Sequence, residues 1–274
     1  MKKIIITLLF LIVFIVGCTK EVSFDESKET LVVGLEAAYA PFNWTETTQS
    51  ETNVKLDGMN AYVEGYDVQI AKLIAEDLGY DLVIKMVDWK GLILSLQSGM
   101  IDVIIAGMSP TPDRLKQISF TDAYYTSVHV VLVNKEGTYA NAATLNDFAN
   151  AKIIGQKATI YDDLAGELVE MNTGTKHLVP LESVPEVINT LNSGIADVTI
   201  VERPVALSII NSNPNLKMIE FENGFEVAEE DKVVSIGVRK IDTNLLSKIN
   251  NALNKISEET REELMINASL ANAE

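Results

Sequence analysis

The sequence has few of the side chains on which most hydrolases and metalloenzymes depend. Its 274 residues include one cysteine and two histidines. A single cysteine cannot form an intramolecular disulfide, so disulfide-stabilised folds are excluded. His129 and His177 belong to no H-E-x-x-H pattern and to no Ser/His/Asp set, and the phosphate-loop pattern G-x-x-x-x-G-K-[ST] does not occur. We therefore predict no enzymatic activity, no metal and no cofactor.

Positive charge is also scarce. The 22 lysines and arginines face 39 aspartates and glutamates, which gives a formal net charge of −17. Such a surface repels nucleic acid and anionic membranes, so neither is an expected partner. A local pocket for an anion is still compatible with this charge, because the field at one site can oppose the global one. The length allows two domains or one large one.

The N-terminus has one apolar run, and it is short. Residues 4–16 are apolar apart from one threonine and follow two lysines, which is too short for a bilayer span and typical of a secretory signal. The run ends in Ile15-Val16-Gly17-Cys18, which resembles the lipobox of bacterial lipoproteins. That resemblance implies removal of residues 1–17 and acylation of Cys18 with a diacylglyceryl group and a further acyl chain such as palmitate. The alternative is an uncleaved anchor helix with an incidental cysteine.

Residues 18–30 are polar and acidic without a clear period, so we predict a tether. A dozen residues reach at most roughly 40 Å when extended. The folded part is then expected close to the outer face of the bacterial cell membrane.

From residue 31 onward, apolar runs alternate with amphipathic stretches, which predicts α/β layers with largely parallel sheets. Strands are expected at 31–35, 82–87, 101–106, 128–133, 152–157, 197–201 and 233–238. Helices are expected at 65–79, 91–98, 144–150, 161–171, 183–193, 204–211 and 242–257. Residues 43–62 suggest a loop or hairpin, and the sequence does not decide whether the tail, 258–274, is ordered.

One pattern occurs twice. Residues 98–104 (SGMIDVI) and 193–199 (SGIADVT) share a helix stop, a glycine and the start of a strand. Each is followed by a polar residue near the end of its strand, Ser109 in one case and Glu202 in the other. Ligands of open α/β sheets bind beyond the carboxyl ends of strands. Two lobes that face each other would bring both groups to one cleft.

The stretch from Gly107 to Arg114 has the features of an anion site. Thr111 suits a helix N-cap, and Pro112 suits the first helical position. A helix N-terminus offers free N–H groups, and Arg114 could grip a carboxylate with its planar fork. Hydroxyl groups of Ser109 and Thr111 would complete the cradle. The alternative is a surface turn with a solvated arginine.

With these residues in view, the chain resembles a family 3 extracellular solute-binding protein, the amino-acid-capturing component of an ABC importer. The matching segments are 39–42 (YAPF), 65–71 (GYDVQIA), 88–89 (DW), 107–114, 120–125 (FTDAYY), 156–159 (QKAT) and 196–202. The resemblance implies a type II two-lobed clamp. Lobe 1 would comprise residues 31–127 plus 234–274, and lobe 2 residues 128–233.

The resemblance also assigns a binding site for a free L-amino acid. It implies that the α-carboxylate is held by Gly107, Ser109, Thr111, Arg114 and Thr159. Glu202 stands where the family usually has aspartate and would take the α-ammonium group. Ala158 stands where relatives often have glycine or serine, so only its N–H can donate, and we expect a negative φ there.

The same resemblance assigns the walls of the pocket. Tyr39 and Trp89 would pack against the ligand side chain, and Glu36 falls where binders of basic and polar amino acids often carry an acid. Each residue has a structural alternative: Trp89 and Tyr39 as core aromatics, Glu36 as a solvated acid, and Glu202 as a partner of Arg203 at a helix start.

The predicted protein is a monomer that closes on its ligand and is recognised by a permease with its ATPase. Two other functions stay open on the sequence alone. One is a dehydratase of small carboxylates on the same scaffold, which would use carboxylates for acid–base chemistry. The other is a lipoprotein that senses a ligand and signals to a membrane partner.

Overall fold

The structure is a computed structural model that describes residues 29–272. The predicted signal peptide, Cys18 and most of the tether lie outside this range. Two five-stranded sheets, each flanked by helices, form two lobes, and a small four-stranded sheet accompanies the first. The predicted α/β, two-lobed fold class is confirmed.

Lobe 1 is built on the sheet β6-β1-β7-β14-β8, with a smaller sheet of order β2-β3-β5-β4. Its strands are β1 (Thr30–Leu35), β2 (Ala38–Tyr39), β3 (Asn43–Glu46), β4 (Val54–Lys55), β5 (Tyr62–Glu64), β6 (Asp81–Met86), β7 (Val103–Ile104), β8 (Ser119–Thr126) and β14 (Val233–Val238). Its helices are α1 (Tyr66–Leu78), α2 (Leu92–Gln97), α3 (Pro112–Leu115), α7 (Thr243–Leu253) and α8 (Glu258–Ala271).

Lobe 2 is built on the sheet β11-β10-β12-β9-β13. Its strands are β9 (His129–Asn134), β10 (Lys152–Ile154), β11 (Lys176–His177), β12 (Val198–Glu202) and β13 (Leu216–Ile219). Its helices are α4 (Ile160–Met171), α5 (Val184–Asn192) and α6 (Arg203–Ser212). Short 3-10 turns lie at Trp89–Gly91 in lobe 1 and at Glu229–Asp231 beside the return crossing.

Both sheets have the same plan. Three neighbouring strands are parallel, the fourth strand is antiparallel to them, and the fifth pairs antiparallel with the fourth. The strand antiparallel to the central one is β14 in lobe 1 and β9 in lobe 2, and each begins just after the chain has crossed between lobes. The crossings lie between Thr126 and His129 and between Ile219 and Val233.

The repeated sequence pattern has a repeated structure. Gly99 and Gly194 both end a helix with a positive φ, 76° and 73°, a conformation that favours glycine. Asp102 Oδ2 accepts the Val32 N–H over 3.1 Å, and Asp197 Oδ2 accepts the Lys152 N–H over 2.8 Å. In both lobes the aspartate therefore fixes the start of the neighbouring parallel strand.

The apolar faces pack as the sequence pattern requires. In α1, Val68, Ile70, Ala71 and Ile74 are fully buried, and Gly79 ends the helix at φ 68°. The cores of both lobes are made mainly of aliphatic residues from the sheets and these helix faces. Phe42, the last residue of the segment 39–42, is also fully buried.

Several predicted elements need correction. Residues 144–150 form turns and no helix, because Asp147 Oδ2 instead accepts the N–H groups of Ala143 and Thr144. The helix predicted to reach residue 257 ends at Leu253. Residues 43–62 hold two short strands of the small sheet, β3 and β4, and lead into a third, β5. The tail through Ala271 is helix α8. Ser257 caps that helix by accepting the Thr260 N–H.

Helix α8 packs between α1 of lobe 1 and α6 of lobe 2. Its C-cap, Asn272, donates to the hydroxyl of Ser208 on α6. Across residues 29–272, no helix combines the length and the apolar character that crossing a membrane requires.

Candidate functional site

A hollow lies between the lobes, where the carboxyl ends of several parallel strands meet. Segments that follow β1, β7 and β10 supply side chains to it. It is lined by Glu36, Tyr39, Trp89, Gly107, Ser109, Arg114, Gln156, Thr159, Ile160 and Tyr161. Seven of these ten residues were predicted from the sequence. Thr111, Ala158 and Glu202 do not line the hollow directly.

Arg114 reaches across the hollow from α3. Thr111 caps this short helix by accepting the Arg114 N–H over 3.4 Å, as expected, so its hydroxyl serves the helix start. The guanidinium donates from Nη1 to the Ser109 carbonyl over 2.9 Å and from Nη2 to the Ala158 carbonyl of lobe 2 over 3.2 Å. Burial lowers the pKa of Arg114 from its usual value, although arginine remains charged in proteins.

Trp89 lies beside Arg114. The guanidinium carbon is 5.0 Å from the centre of the indole ring, a cation–π contact. Trp89 Nε1 also donates to the Ala158 carbonyl over 2.9 Å, so two lobe 1 donors share one lobe 2 acceptor. The expectation of a negative φ at Ala158 is wrong: φ is 60°. An alanine is strained there, and this conformation presents the carbonyl to both donors.

Glu202 ends β12 and is buried. Tyr161 Oη donates to its Oε1 over 2.6 Å, and Tyr39 Oη from lobe 1 lies 3.1 Å from the same oxygen. The other oxygen, Oε2, is buried without a hydrogen-bond partner among the described residues. Burial raises the pKa of Glu202 to about 7, against the lowering effect of the two tyrosine hydrogen bonds. The carboxylate thus lies directly behind two tyrosines that line the hollow.

Glu36 follows β1 and is partly buried. Gln156 Nε2 of lobe 2 lies 3.0 Å from Oε1 and 3.1 Å from Oε2, so one amide group spans both carboxylate oxygens. Burial raises the pKa of Glu36 to about 7, while the hydrogen bond from Gln156 acts in the opposite direction. This second acid is placed at the hollow itself.

The small residues of the site have specific backbone roles. Gly107 has φ 59°, and a Cβ there would lie 3.0 Å from the Tyr39 ring, so glycine fits best. Its N–H donates to Tyr124 Oη over 3.1 Å and is therefore already paired. Thr159 lines the hollow, and its hydroxyl donates to the Gln156 carbonyl over 2.7 Å.

Sequence reasoning missed Gln156, Ile160 and Tyr161 as site residues. Gln156 belongs to a segment that the resemblance already used, and Ile160 and Tyr161 open α4 directly after Thr159. The available signal was the position of this helix start at the carboxyl end of β10. His129 is partly buried with a pKa lowered by burial to about 4, and His177 pairs with Asp162 over 2.8 Å. Neither histidine lines the hollow.

The lobes are in close contact around the hollow. At its rim, Lys90 of lobe 1 lies 2.8 Å from Glu182 of lobe 2. The free space inside is about 10 Å³, enough for roughly one water molecule. An amino acid can therefore enter only when the lobes separate. The described residues hold no cluster of three or more His, Cys, Asp or Glu side chains arranged for a metal ion.

Two lobes that enclose a polar, charged hollow near the carboxyl ends of their parallel strands define a ligand-binding clamp. Residues 31–266 match the bacterial extracellular solute-binding proteins, family 3, and the chain belongs to that family.

Known relatives agree with this assignment. The chain is 29% identical over 238 residues to the arginine-binding extracellular protein ArtP of Bacillus subtilis, covering 85% of this chain and 83% of ArtP. The structure is similar to that of AbpA, an amino acid ABC transporter substrate-binding protein from Streptococcus pneumoniae bound to L-arginine. That comparison has a TM-score of 0.75 and 29% identity, and it covers 89% of this chain and 96% of AbpA.

A third similar structure is the ancestral amino acid-binding protein AncCDT-1, a precursor of cyclohexadienyl dehydratase. Its TM-score is 0.70 with 26% identity, covering 87% of this chain and 94% of AncCDT-1. These three relatives are binding proteins, and the last of them preceded an enzyme on this scaffold.

Proposed function

We propose that this protein captures a free amino acid with a cationic side chain and delivers it to an ABC importer. The observation that carries the proposal is the arrangement of charge around one hollow. A guanidinium enters from lobe 1, a buried carboxylate stands behind the lobe 2 wall, and a second carboxylate, Glu36, faces the same space. The arginine-binding relatives support it.

Matched charges are what a zwitterion requires in such a site. An unpaired charge in a dry cleft costs several kcal/mol, so both ends of an amino acid need partners. Arg114 is suited to the α-carboxylate, together with Ser109 and Thr159. Glu202 is suited to the α-ammonium group, because its buried carboxylate accepts from hydroxyl groups and has no cationic partner among the described residues. On binding, the ligand carboxylate would replace the Ala158 carbonyl as an acceptor of Arg114.

The side-chain preference rests on Glu36 and Trp89. Glu36 presents two carboxylate oxygens in a planar pair that a guanidinium can engage bidentately. Trp89 offers an aromatic face near it, and guanidinium groups stack favourably on indole rings. We infer that L-arginine is the preferred ligand and that Gln156 gives up its contact with Glu36 when L-arginine enters.

Capture then proceeds by closure of the lobes. The open clamp exposes the lobe 1 half of the site, and lobe 2 adds Thr159 and Glu202 once the ligand has docked. A ligand that contacts both lobes binds the closed form more tightly and shifts the population towards it. The hinge would be the two crossings between lobes, which keeps the proposed division into 31–127 plus 234–274 and 128–233. The closed form is the state that a permease with its ATPase would recognise.

Calorimetric titration with the common L-amino acids tests this function. We expect micromolar or tighter binding of L-arginine, which corresponds to about 8 kcal/mol or more. Glu36→Gln should weaken L-arginine binding and reduce the ratio of the affinity for L-arginine to the affinity for L-glutamine. Absence of binding by every amino acid would overturn the proposal, and unchanged selectivity in Glu36→Gln would overturn the role of Glu36.

The relation to AncCDT-1 makes an enzymatic alternative worth a direct test. Glu36 and Glu202 both have pKa values raised to about 7, the range in which a carboxyl group can act as acid or base. We propose binding without chemistry, since the site offers charge partners for both ends of an amino acid. NMR spectra of L-arginine recovered after long incubation should be unchanged, and a new product would favour the enzyme.

We further propose that Cys18 anchors the mature protein to the outer face of the membrane. Two acyl chains suffice for stable anchoring, and we expect a monomer there. Mass spectrometry of the N-terminal peptide should detect the acyl groups, and Cys18→Ala should release the protein into the medium. The remaining alternative is a sensory lipoprotein. Permease and ATPase genes beside the gene would favour transport, and a receptor kinase gene would favour sensing.

A further inference from the structure

We propose that Asp67 is a positioning residue that holds the two ligand-facing loops of lobe 1 in place through a buried chain of hydrogen bonds. One loop follows β1, carries Glu36 and leads into the short strand β2 with Tyr39. The other follows β7, carries Gly107 and Ser109 and leads into α3 with Arg114. The inference rests on the proposed function, because it assigns a task to a residue that does not itself line the hollow.

The chain of hydrogen bonds is continuous from one loop to the other. On the β1 side, the Ala37 N–H donates to Asn43 Oδ1 over 2.7 Å, and Asn43 Nδ2 donates to Asp67 Oδ2 over 2.8 Å. On the β7 side, the Gly107 N–H donates to Tyr124 Oη over 3.1 Å, and Tyr124 Oη donates to Asp67 Oδ1 over 2.6 Å. Each oxygen of Asp67 therefore serves one loop.

Every donor along the chain points towards Asp67. An ionised carboxylate suits this arrangement best, because it has acceptor sites on both oxygens and no donor. Hydrogen bonds to an ionised acceptor are stronger than neutral ones. The network is also shielded from water: Asn43 and Asp67 are 0% exposed and Tyr124 is 1% exposed. Its loss could not be replaced by solvent at low cost.

The two end points are the positions that most need such support. Ala37 and Gly107 both have positive φ, 56° and 59°. A non-glycine residue in that region is held there by its surroundings. Ala37 is adjacent to Glu36, and Gly107 precedes the segment that positions Arg114. Fixing these two N–H groups fixes the spacing between the side-chain end and the carboxylate end of the proposed ligand site.

Exchange of amide and carboxylate tests the chain directly. Asp67→Asn places an NH₂ group against either Asn43 or Tyr124. Against Asn43 it breaks that arm, and against Tyr124 it reverses the hydrogen bond and leaves the Tyr124 hydroxyl without its ionised acceptor. The double variant Asn43→Asp with Asp67→Asn restores every link. Its amide at position 67 would donate to the carboxylate at position 43 and accept from Tyr124, and that carboxylate would accept the Ala37 N–H.

Two further variants test the hydrogen bonds on the β7 side separately, one as the test and one as its control. Tyr124→Phe removes the hydroxyl that links Gly107 to Asp67 and leaves only the direct contact of the Gly107 N–H with Asp67. Tyr66→Phe is the matched control. It deletes a buried hydroxyl that donates to the Tyr124 carbonyl and is not part of the hydrogen-bond series through Asp67.

The measurements are the Kd for L-arginine by calorimetry at pH 8 and the thermal midpoint without ligand. We expect Asp67→Asn and Tyr124→Phe to raise the Kd about tenfold. The double variant should bring the Kd most of the way back to the wild-type value, and Tyr66→Phe should keep it within about twofold of that value. A purely structural role would lower the thermal midpoint and leave Kd unchanged.

Two results would overturn the inference: wild-type affinity in Tyr124→Phe, or a double variant as weak as Asp67→Asn alone. If Asp67→Asn does not fold, Tyr124→Phe decides the matter. A wild-type protein that does not bind L-arginine would count against the proposed function instead, so the two failures are distinguishable.

Discussion

The two lobes use the same framework to present opposite charges. In each, a glycine with positive φ ends a helix, an aspartate ties the next strand to its parallel neighbour, and that strand leads towards the hollow. Beyond this point the lobes differ. The strand of lobe 1 leads to Ser109 and Arg114, and the strand of lobe 2 ends at Glu202.

This difference shows which part of the lobe carries specificity. The common elements lie at the amino ends of the strands, away from the hollow, and they set the geometry of the sheets. The side chains at the carboxyl ends are free to differ because no strand pairing depends on them. Lobe 1 supplies a cation, two aromatic rings and the carboxylate of Glu36, whereas lobe 2 supplies a carboxylate supported by Tyr161. A molecule with both charges fits between them.

The largest expected effect comes from removing the cation of lobe 1. Arg114→Ala should weaken L-arginine binding by roughly 3–5 kcal/mol, about 100-fold or more, because it leaves the ligand carboxylate without its charge partner. Arg203→Ala is the matched control, since Arg203 is half exposed and pairs with Glu220 over 3.3 Å outside the site. If calorimetry shows that Arg114→Ala changes the Kd for L-arginine by less than about fivefold, Arg114 is not part of the site.

Removing the anion of lobe 2 should have the next largest effect. Glu202→Gln keeps the size of the side chain and an acceptor for the tyrosines but loses the charge, so we expect an affinity loss of about 30-fold, or roughly 2 kcal/mol. Glu220→Gln serves as the control outside the site. An unchanged Kd in Glu202→Gln would mean that the two lobes do not present opposite charges to the ligand.

The pH dependence should follow the carboxylate at the hollow, Glu36, and the carboxylate behind it, Glu202. Burial raises the pKa of Glu36 and of Glu202 to about 7, so both become protonated as the pH falls below that value. A cationic ligand binds their ionised forms, and its affinity should therefore fall by about tenfold or more between pH 7.5 and 6. Glu36→Gln and Glu202→Gln should each flatten the profile. A flat profile in the wild type would contradict the prediction.

The raised pKa values of Glu36 and Glu202 also affect the stability of the ligand-free protein, and here a lower pH is favourable. In the unfolded chain these glutamates return to their ordinary pKa of 4.5, so the folded state binds more protons between about pH 4.5 and 7. The contribution of these two groups to the free energy of unfolding is thus largest at low pH and is lost as the pH rises through 7. Urea unfolding at pH 5 and 8, compared with Glu36→Gln, measures it.

The smallest expected effect is at the rim of the hollow. Lys90 and Glu182 form an ion pair between the lobes over 2.8 Å, but both side chains are about half exposed. Such pairs contribute at most about 1 kcal/mol and are screened by salt. Lys90→Ala should raise the Kd for L-arginine about twofold at low salt and leave it unchanged at high salt. Lys116→Ala, which breaks an exposed pair within lobe 1, should leave Kd unchanged.

The sequence predicts the lobes better than the contacts between them. Apolar periodicity and capping residues are local, and they give α1, β14 and the Thr111 cap correctly. The hydrogen bond between Tyr39 and Glu202 joins residues 163 positions apart, and no local pattern indicates it. The contacts of the Ala158 carbonyl with two donors of the opposite lobe are equally non-local. Helix α8 has only a weak apolar face, and it is stabilised by its cap and by packing between α1 and α6.

The two crossings of the chain between the lobes determine the order in which the lobes can be completed during synthesis. Lobe 2 is contiguous, from β9 to β13. Lobe 1 is not: β8 pairs with β14, which begins at Val233, more than a hundred residues after β8 ends. A ribosome therefore finishes the second lobe while the sheet of the first still lacks the strand that joins β7 to β8. Although it begins the folded chain, lobe 1 is completed last.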